Sequence, residues 1–244
     1  MGEQGTEPYW SDLSPVRLQE LLLDHRDLQE FLAALAGEFA DCLARWHVAG
    51  AALTLVRPRR QVAHAGSAPR FAASAPRQTE LEPAFGVLAT GLPVVVRHLD
   101  PRPARTGGVN PLLPDGTAAF ASVPMPVEKP AGAVLSVYSF RPGAFDPEAV
   151  RAVERAAGDA AASLTLALRM DAQAHRAANL QAALESRTVV DLAAGIIMGQ
   201  NNCSQQSAVD ILRSVSNSRN VKVREVAAGV VAVVSDRVNT HFEE

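Results

Sequence analysis

Two cysteines, Cys42 and Cys203, are all that 244 residues contain. That is too few for a disulfide scaffold, and their separation rules out a multi-thiolate metal site built from them alone. Both are expected to be reduced and buried as small apolar residues. Charge of one sign is also lacking: 23 Lys and Arg stand against 26 Asp and Glu, a net charge of -3. Nothing global therefore pulls the chain toward nucleic acid or anionic lipid, and any such partner must be met by a local patch. No apolar run approaches the ~20 residues that a membrane span needs. The start, Met1-Gly2-Glu3-Gln4-Gly5-Thr6-Glu7, has neither a basic n-region nor an apolar stretch behind it, so a cytoplasmic protein with no membrane partner is expected. Missing too are a Gly-x-Ser-x-Gly elbow, a His-Glu-x-x-His pair, a phosphate loop and a dinucleotide fingerprint. Acid pairs such as Glu80 and Glu82 read as solvated helix residues. No catalytic or metal-binding residue is assigned, and the chain is not expected to be an enzyme.

What is present describes a folded protein: 48% apolar and 20% charged residues, in a length that suits two domains. Ser14-Pro15 is a helix start, with a capping hydroxyl followed by a proline that has no N–H to leave unbonded. Leu18, Leu21 and Leu22, then Leu28, Phe31, Leu32, Leu35, Phe39, Leu43 and Trp46, recur at helical spacing with a break near residues 24–27. Short runs of small and β-branched residues follow. Residues 51–56 and 61–65, divided by Arg57-Pro58-Arg59-Arg60, predict a β-hairpin, and 94–97, 118–123 and 133–138 predict further strands. Residues 79–90 read as a helix closed by Gly91. The Pro- and Gly-rich stretch 101–116 reads as a loop or short helix over one face of the sheet.

From Asp146-Pro147, a second cap-plus-proline start, proline never returns. An Ala-rich helix through Val150, Val153, Ala157, Ala160 and Leu164 continues with a stripe at Leu166, Met170, Ala177, Leu180 and Leu184. A single helix over about 147–198 suggests pairing with a second copy, the alternative being packing on its own sheet as its first turns do. Asp171 and His175 are read as interrupting a strict heptad.

Three apolar helical segments close the chain. Val189, Val190, Ala193, Ile196 and Ile197 predict one face, with Gly195 letting a neighbouring helix approach. Ser204 caps a second helix with the face Ala208, Val209, Ile211, Leu212 and Val215. Asn217–Asn220 reads as a polar turn before a last helix over 221–234. A small shared core explains the apolar residues without any ligand. The charges are a separate matter: between Ile211 and Arg224 stand Arg213, Arg219, Lys222 and Arg224 and no acidic residue. With Ser214, Ser216, Asn217, Ser218 and Asn220 among them, they form a cationic, amide-rich turn able to meet phosphates and bases of a folded RNA loop.

The run Leu180-x-x-x-Leu184-x-x-Arg187-x-x-Val190-Asp191-x-Ala193-x-Gly195-Ile196-x-Met198, followed by Cys203-Ser204-x-x-x-Ala208-x-x-x-Leu212-Arg213-x-x-Ser216-x-x-x-Asn220-x-Lys222-x-Arg224-x-Val226-Ala227, resembles the ANTAR domain over about 180–235. The resemblance implies binding to tandem hairpins in nascent mRNA leaders, so that a terminator is blocked and transcription continues. It offers Arg187, Arg213, Ser216, Asn220, Lys222 and Arg224 as contacts. Ala194 stands where the family typically has lysine. Residues 187–244 hold six Lys or Arg against six Asp or Glu, so binding of modest affinity and steep salt dependence is expected.

Upstream, Gly91-Leu92-Pro93-Val94-Val95-Val96, Ala121–Pro126, Gly132–Ser139 and Gly143–Asp146 resemble a GAF domain. The resemblance implies a small-molecule cavity against the sheet, roofed by the helix at 79–90 and the 101–116 loop. The Asn-Lys-Phe-Asp-Glu signature of cyclic-nucleotide binders is absent, and Glu82-Pro83-Ala84-Phe85-Gly86 puts no thiol in place for a metal cluster or bilin. His47, His64 and His98 are isolated and read as ordinary histidines. Residues 51–56 lack the acidic groups of a phosphoreceiver. No cofactor is assigned beyond an unidentified small-molecule signal.

The expected fold is therefore α+β. An N-terminal extension with a short helix (1–26) precedes a GAF-like antiparallel sheet flanked by helices (27–165), a linker helix able to form a dimeric coiled coil (166–186), and an all-α three-helix ANTAR bundle (187–244). The expected function is an RNA-binding antitermination regulator acting as a homodimer. The alternative is a DNA-binding or protein-docking bundle, although residues 221–234 offer mostly Val and Ala beyond Arg224 to a recognition helix.

Overall fold

The structure, a computed structural model, describes residues 13–25, 27–72, 83–99 and 113–239, without the side chains of 83–85 and 235–239. Two compact units divide the chain after Asp171.

In the first unit α1 (Pro15–Asp24) starts where Ser14 Oγ accepts from the Arg17 N–H at 3.1 Å. Its end and the start of α2 (Leu28–Cys42) bracket the predicted break, and Asp27 caps α2 through the Gln29 N–H. Strands β1 (Gly50–Val56), β2 (Ala63–Gly66), β3 (Val94–Val96), β4 (Ala119–Met125) and β5 (Gly132–Ser139) form one antiparallel sheet in the order β2-β1-β5-β4-β3. The hairpin at 57–60 forms as expected, with Arg59 in the left-handed region at φ 58°, but β2 begins two residues later than the sequence pattern suggests.

Alternation sends two different sets of side chains to the two sheet faces. Leu53, Leu55, Ala121, Val123, Leu135 and Val137 bury against Phe31, Leu32, Leu35 and Phe39 of α2. The same core takes in Val153, Ala157, Ala160 and Leu164 from the start of α5 (Pro147–Asn201). The run of alanines lets this helix lie close to the sheet. The opposite face carries Ala52, Phe120 and Tyr138 with Phe71 of the short α3 (Pro69–Ala72) stacked on Tyr138 at 5.5 Å. Gly50 is required there, because a Cβ would fall 2.0 Å from the Phe71 ring.

Helix α4 (Pro83–Thr90) lies on this second face, where Val87 and Leu88 pack with Val134 and Val94. It ends at Gly91 with φ 69°, as its sequence predicts. Residues 79–82 and 101–112 of the predicted roof lie outside the described residues. Cys42 is half-buried and donates to the Phe39 carbonyl, and Cys203 is likewise half-buried, so neither is the fully buried residue expected.

Helix α5 is 55 residues long and begins as predicted, with Asp146 Oδ1 accepting from the Glu148 and Ala149 N–H groups at 2.9 and 2.8 Å. Asp171 does not interrupt an exposed heptad. Its carboxylate turns to the β1–β2 turn and accepts from Arg57 Nη1 at 2.7 Å, with Arg60 Nη1 at 3.7 Å. Among the described residues no helix is long and apolar enough to cross a membrane.

The second unit takes the rest of α5 together with α6 (Gln205–Arg219) and α7 (Val223–Asn239). Its core is Ala193, Ala194, Ile197, Ala208, Leu212 and Ala227, with Val189, Val190, Met198, Val209, Val226 and Val230 partly buried around it. Ile211 faces solvent and Ser216 takes the buried position one turn beyond Leu212. Gly195 is exposed and a Cβ there would meet nothing within 4 Å. It therefore serves no close approach, and Ala194 beside it is the residue that packs.

Candidate nucleic-acid interface

The turn between α6 and α7 is shorter than expected, because α6 continues through Asn217 to Arg219. Asn220 closes it in the left-handed conformation, φ 51° and ψ 41°, its N–H bonding back to Asn217 and Ser216. Asparagine tolerates that conformation better than most residues. The Val221 N–H returns to the Ser216 carbonyl at 3.1 Å, and the Ser216 hydroxyl donates to the Val221 carbonyl at 2.5 Å. Helix α7 then begins with the Lys222 carbonyl accepting from the Glu225 and Val226 N–H groups.

This arrangement corrects one expectation. Ser216 is 7% exposed and its hydroxyl donates to the Val221 carbonyl, so its side chain closes the turn and is the least accessible of the expected contacts. Asn220 is exposed, yet its backbone conformation alone is reason enough for its presence.

The cations divide into two groups. Arg187 lies 3.8 Å from Asp191 and Arg213 lies 3.4 Å from Asp210, each pair one helical turn apart. Their side chains are 82% and 61% exposed, and exposed pairs of this kind contribute about 0–1 kcal/mol, so an incoming phosphate can displace them. Arg219, Lys222 and Arg224 are exposed and form no ion pair among the described residues. They lie within five residues of one another, so their Cα atoms cannot be more than about 18 Å apart. Arg219 ends α6, where the helix dipole favours a cation. Arg224 enters the first turn of α7, where the dipole opposes a cation and favours an anionic partner.

Ala194, the position where a lysine is typical in the resembled family, is fully buried in the core of the second unit. Beside the cationic turn residues 182–189 of α5 and the start of α7 line an open cleft of about 250 Å³. Ala182, Glu185, Ser186 and Val189 line it from α5, and Arg224, Glu225 and Ala228 from α7. Neither wall shows any local pattern in the sequence that would announce a cleft.

Of the three histidines singled out in the first unit, two have described polar neighbours. His47 Nε2 meets Arg141 Nη1 at 2.7 Å, while His64 is partly buried beside Thr54. Burial holds the His64 imidazole below its ordinary range. Ser122 and Ser136 share a buried hydroxyl–hydroxyl bond of 2.8 Å at the centre of the sheet. Among the described residues no three His, Cys, Asp or Glu are grouped to hold a metal ion.

The family model described as the GAF domain matches residues 25–165, more than half of the chain, and that of the ANTAR domain matches residues 178–231. The chain belongs to the GAF domain family and carries an ANTAR domain after its GAF domain. It is thus a regulator that joins a GAF sensor domain to an ANTAR output domain, both regulatory rather than catalytic. No curated protein matches the sequence. Similar solved structures include a free methionine-R-sulfoxide reductase from Neisseria meningitidis, at 17% identity over 65% of this chain and 88% of that one, TM-score 0.44. Another is the GAF domain of an Acinetobacter phosphoenolpyruvate-protein phosphotransferase, at 15% over 64% and 97%, TM-score 0.43. A third is the GAF domain region of a Geobacter sulfurreducens putative membrane protein, at 19% over 62% and 99%, TM-score 0.42.

Proposed function

We propose that the second unit binds tandem hairpins in the leaders of nascent transcripts and thereby prevents terminator formation, under the control of a small-molecule signal met by the GAF domain. The observation that carries this reading is the set Arg219, Lys222 and Arg224. These are cations at one helix junction with no carboxylate partner among the described residues, inside the segment matched as ANTAR. A solvated surface gains nothing from leaving cations unpaired side by side, whereas a phosphate backbone neutralises them and releases its counterions. Arg187 and Arg213 extend the set along α5 and α6. DNA is the weaker reading, because α7 beyond Arg224 offers valine and alanine to a groove where base readout needs donors and acceptors.

The unit acts as one half of a homodimer. Ala177, Leu180 and Leu184 of α5 fall within about 60° of one another at 3.6 residues per turn. All three are exposed, Leu180 to 63% and Leu184 to 55%. Ala177 and Leu184 stand seven residues apart with Leu180 between them, and an exposed apolar stripe at this heptad spacing supports a parallel helix pair.

The test is a gel-shift titration of tandem-hairpin leader RNA with the full chain. With about four phosphates neutralised, affinity should fall about 50- to 150-fold between about 50 and 200 mM salt. The Arg213→Glu/Lys222→Glu double variant should lose binding. Equal retention of duplex DNA, or an unchanged affinity in the double variant, would defeat the reading.

A further inference from the structure

We infer that the GAF domain adds phosphate contacts of its own to the RNA binding proposed for the second unit, through a cationic surface formed by the β1–β2 turn, the β4–β5 turn and the segment of α5 that they hold. The surface lies wholly within the first unit and takes its ligand from that RNA-binding reading.

Strand order sets the two turns side by side. β1 and β5 are neighbours, with β2 and β4 on their outer sides, and Val56 at the end of β1 pairs with Gly132 at the start of β5. Both turns therefore emerge at one end of the sheet. At about 4.8 Å per strand step their centres stand about 10 Å apart, a distance that a few successive phosphates of one strand cover. Each turn is also tied to α5. Arg57 and Arg60 meet Asp171 Oδ2 at 2.7 and 3.7 Å, and Glu128 accepts from Arg169 Nη2 at 2.7 Å and Nε at 3.0 Å.

Cations outnumber carboxylates on this surface. Arg57, Arg59, Arg60, Lys129 and Arg169 supply five positive charges and Glu128 and Asp171 return two, so the surface carries +3 in a chain whose net charge is -3. Asp27 and Glu30 of the neighbouring helix α2 stand at its N-terminus, where the helix dipole already engages them. Arg59 and Lys129 are exposed and form no ion pair among the described residues. Arg57 Nε is buried without a partner among the described residues, so donors exceed acceptors even inside the first turn. Arg59 holds the left-handed conformation at φ 58°, which glycine and asparagine adopt more readily. Turn geometry alone gives no reason for a guanidinium there, whereas an external anion does.

The exposed neighbours of these cations favour RNA over an acidic protein. They are Pro58, Gln61 and Pro130, and no large apolar side chain of either turn is exposed. A protein interface needs an apolar centre that excludes water, while phosphate contacts need accessible cations, and the planar fork of arginine fits a phosphate in two places at once.

The experiment is a fluorescence-anisotropy titration of labelled tandem-hairpin leader RNA, between about 50 and 200 mM salt, with the full-length wild type and the Arg59→Gln/Lys129→Gln protein. Both replaced side chains are exposed and unpaired, so the variant should unfold at the wild-type temperature. Loss of two phosphate contacts should make its fall in affinity across that salt range about 7- to 12-fold smaller than that of wild type. The Arg151→Gln/Arg155→Gln protein, which changes charge equally at two exposed positions elsewhere on the first unit, should behave as wild type. Equal salt dependence in wild type and the turn variant, or equal flattening in the control, overturns the second surface while RNA binding by the second unit stands. If the turn variant keeps its RNA affinity but loses an oligoglutamate peptide that wild type binds, the turns serve an acidic protein and the RNA contact is overturned. If wild type retains no RNA, the RNA-binding reading fails and this surface with it.

Discussion

Asp171 is the residue whose replacement most directly tests how α5 is fixed in the first unit. Its side chain is 15% exposed and faces Arg57, 19% exposed, at 2.7 Å, with Arg60 contributing at 3.7 Å. Exchanging Asp171 for Asn keeps the shape and removes the charge. Two guanidinium groups would then face a neutral amide, and Arg57 Nε is already buried without a partner among the described residues. Breaking a fully buried pair costs about 3–5 kcal/mol and a surface pair about 0–1 kcal/mol. Exposure of 15–19% places this one between, at about 2–3 kcal/mol. For a unit of this size that corresponds to a fall in Tm of about 4–12 °C. Both tryptophans of the chain, Trp10 and Trp46, precede Asp171, so tryptophan fluorescence during urea unfolding follows the first unit alone. Asp171→Asn should lower the midpoint with little change in slope. The Arg57→Met/Asp171→Leu double variant should recover most of the loss, since well-packed apolar groups can replace a buried ion pair. An unchanged midpoint in Asp171→Asn would refute the claim that this pair anchors the helix.

Ser216→Ala should reduce the thermal stability of the second unit by about 1 kcal/mol through loss of the bond to Val221, while the RNA affinity of the folded protein changes less than twofold in a gel shift; a specific loss of affinity would return Ser216 to the contact set. Asp210→Asn, which releases Arg213, should tighten RNA binding and steepen the salt slope by up to about one unit, as measured by titration at several salt concentrations. Leu180→Asp/Leu184→Asp should convert a dimer to a monomer in sedimentation velocity, and a wild-type monomer would remove the helix-pair proposal. Burial lowers the His64 pKa from 6.5, so the unfolded chain binds that proton more readily than the folded one. Its stabilising contribution is complete above about 6.5 and is lost as pH falls through that value toward the folded pKa. Urea midpoints between pH 7 and 5 should therefore decline more in wild type than in His64→Gln, and parallel declines would contradict the burial effect.

Local chemistry is legible in the sequence and long-range placement is not. Ser14 before Pro15, Asp146 before Pro147 and Ser204 before α6 each announce a helix, because the capping oxygen and the N–H groups it serves lie within three residues. Gly91 marks the end of α4 for the same reason. Gly195 misleads because small size alone does not say which side of a helix meets a neighbour, and it points to open space. Ser216 is easily misread because a hydroxyl in a polar stretch looks solvent-bound, whereas its acceptor is five residues onward across a turn of unusual backbone. Asp171 reads as a break in a heptad until the β1–β2 turn, more than a hundred residues earlier, supplies its partner. The cleft joins residues 182–189 to 224–228, and no periodicity links two such segments.

A unit with six basic and six acidic residues over 187–244 is an unpromising ligand for a polyanion if its charge is averaged. Averaging hides where the acids among the described residues stand. Asp191 and Asp210 sit beside Arg187 and Arg213 on the exposed flanks of α5 and α6, where solvent screens them. Glu225 lies in the first turn of α7 and is favoured there by the helix dipole. The junction itself keeps three cations, Arg219, Lys222 and Arg224, and Glu185 and Glu225 line the cleft that Arg224 enters. If the second unit binds RNA as proposed, near-neutral total charge keeps its non-specific attraction low while the clustered cations direct what attraction there is at a few phosphates.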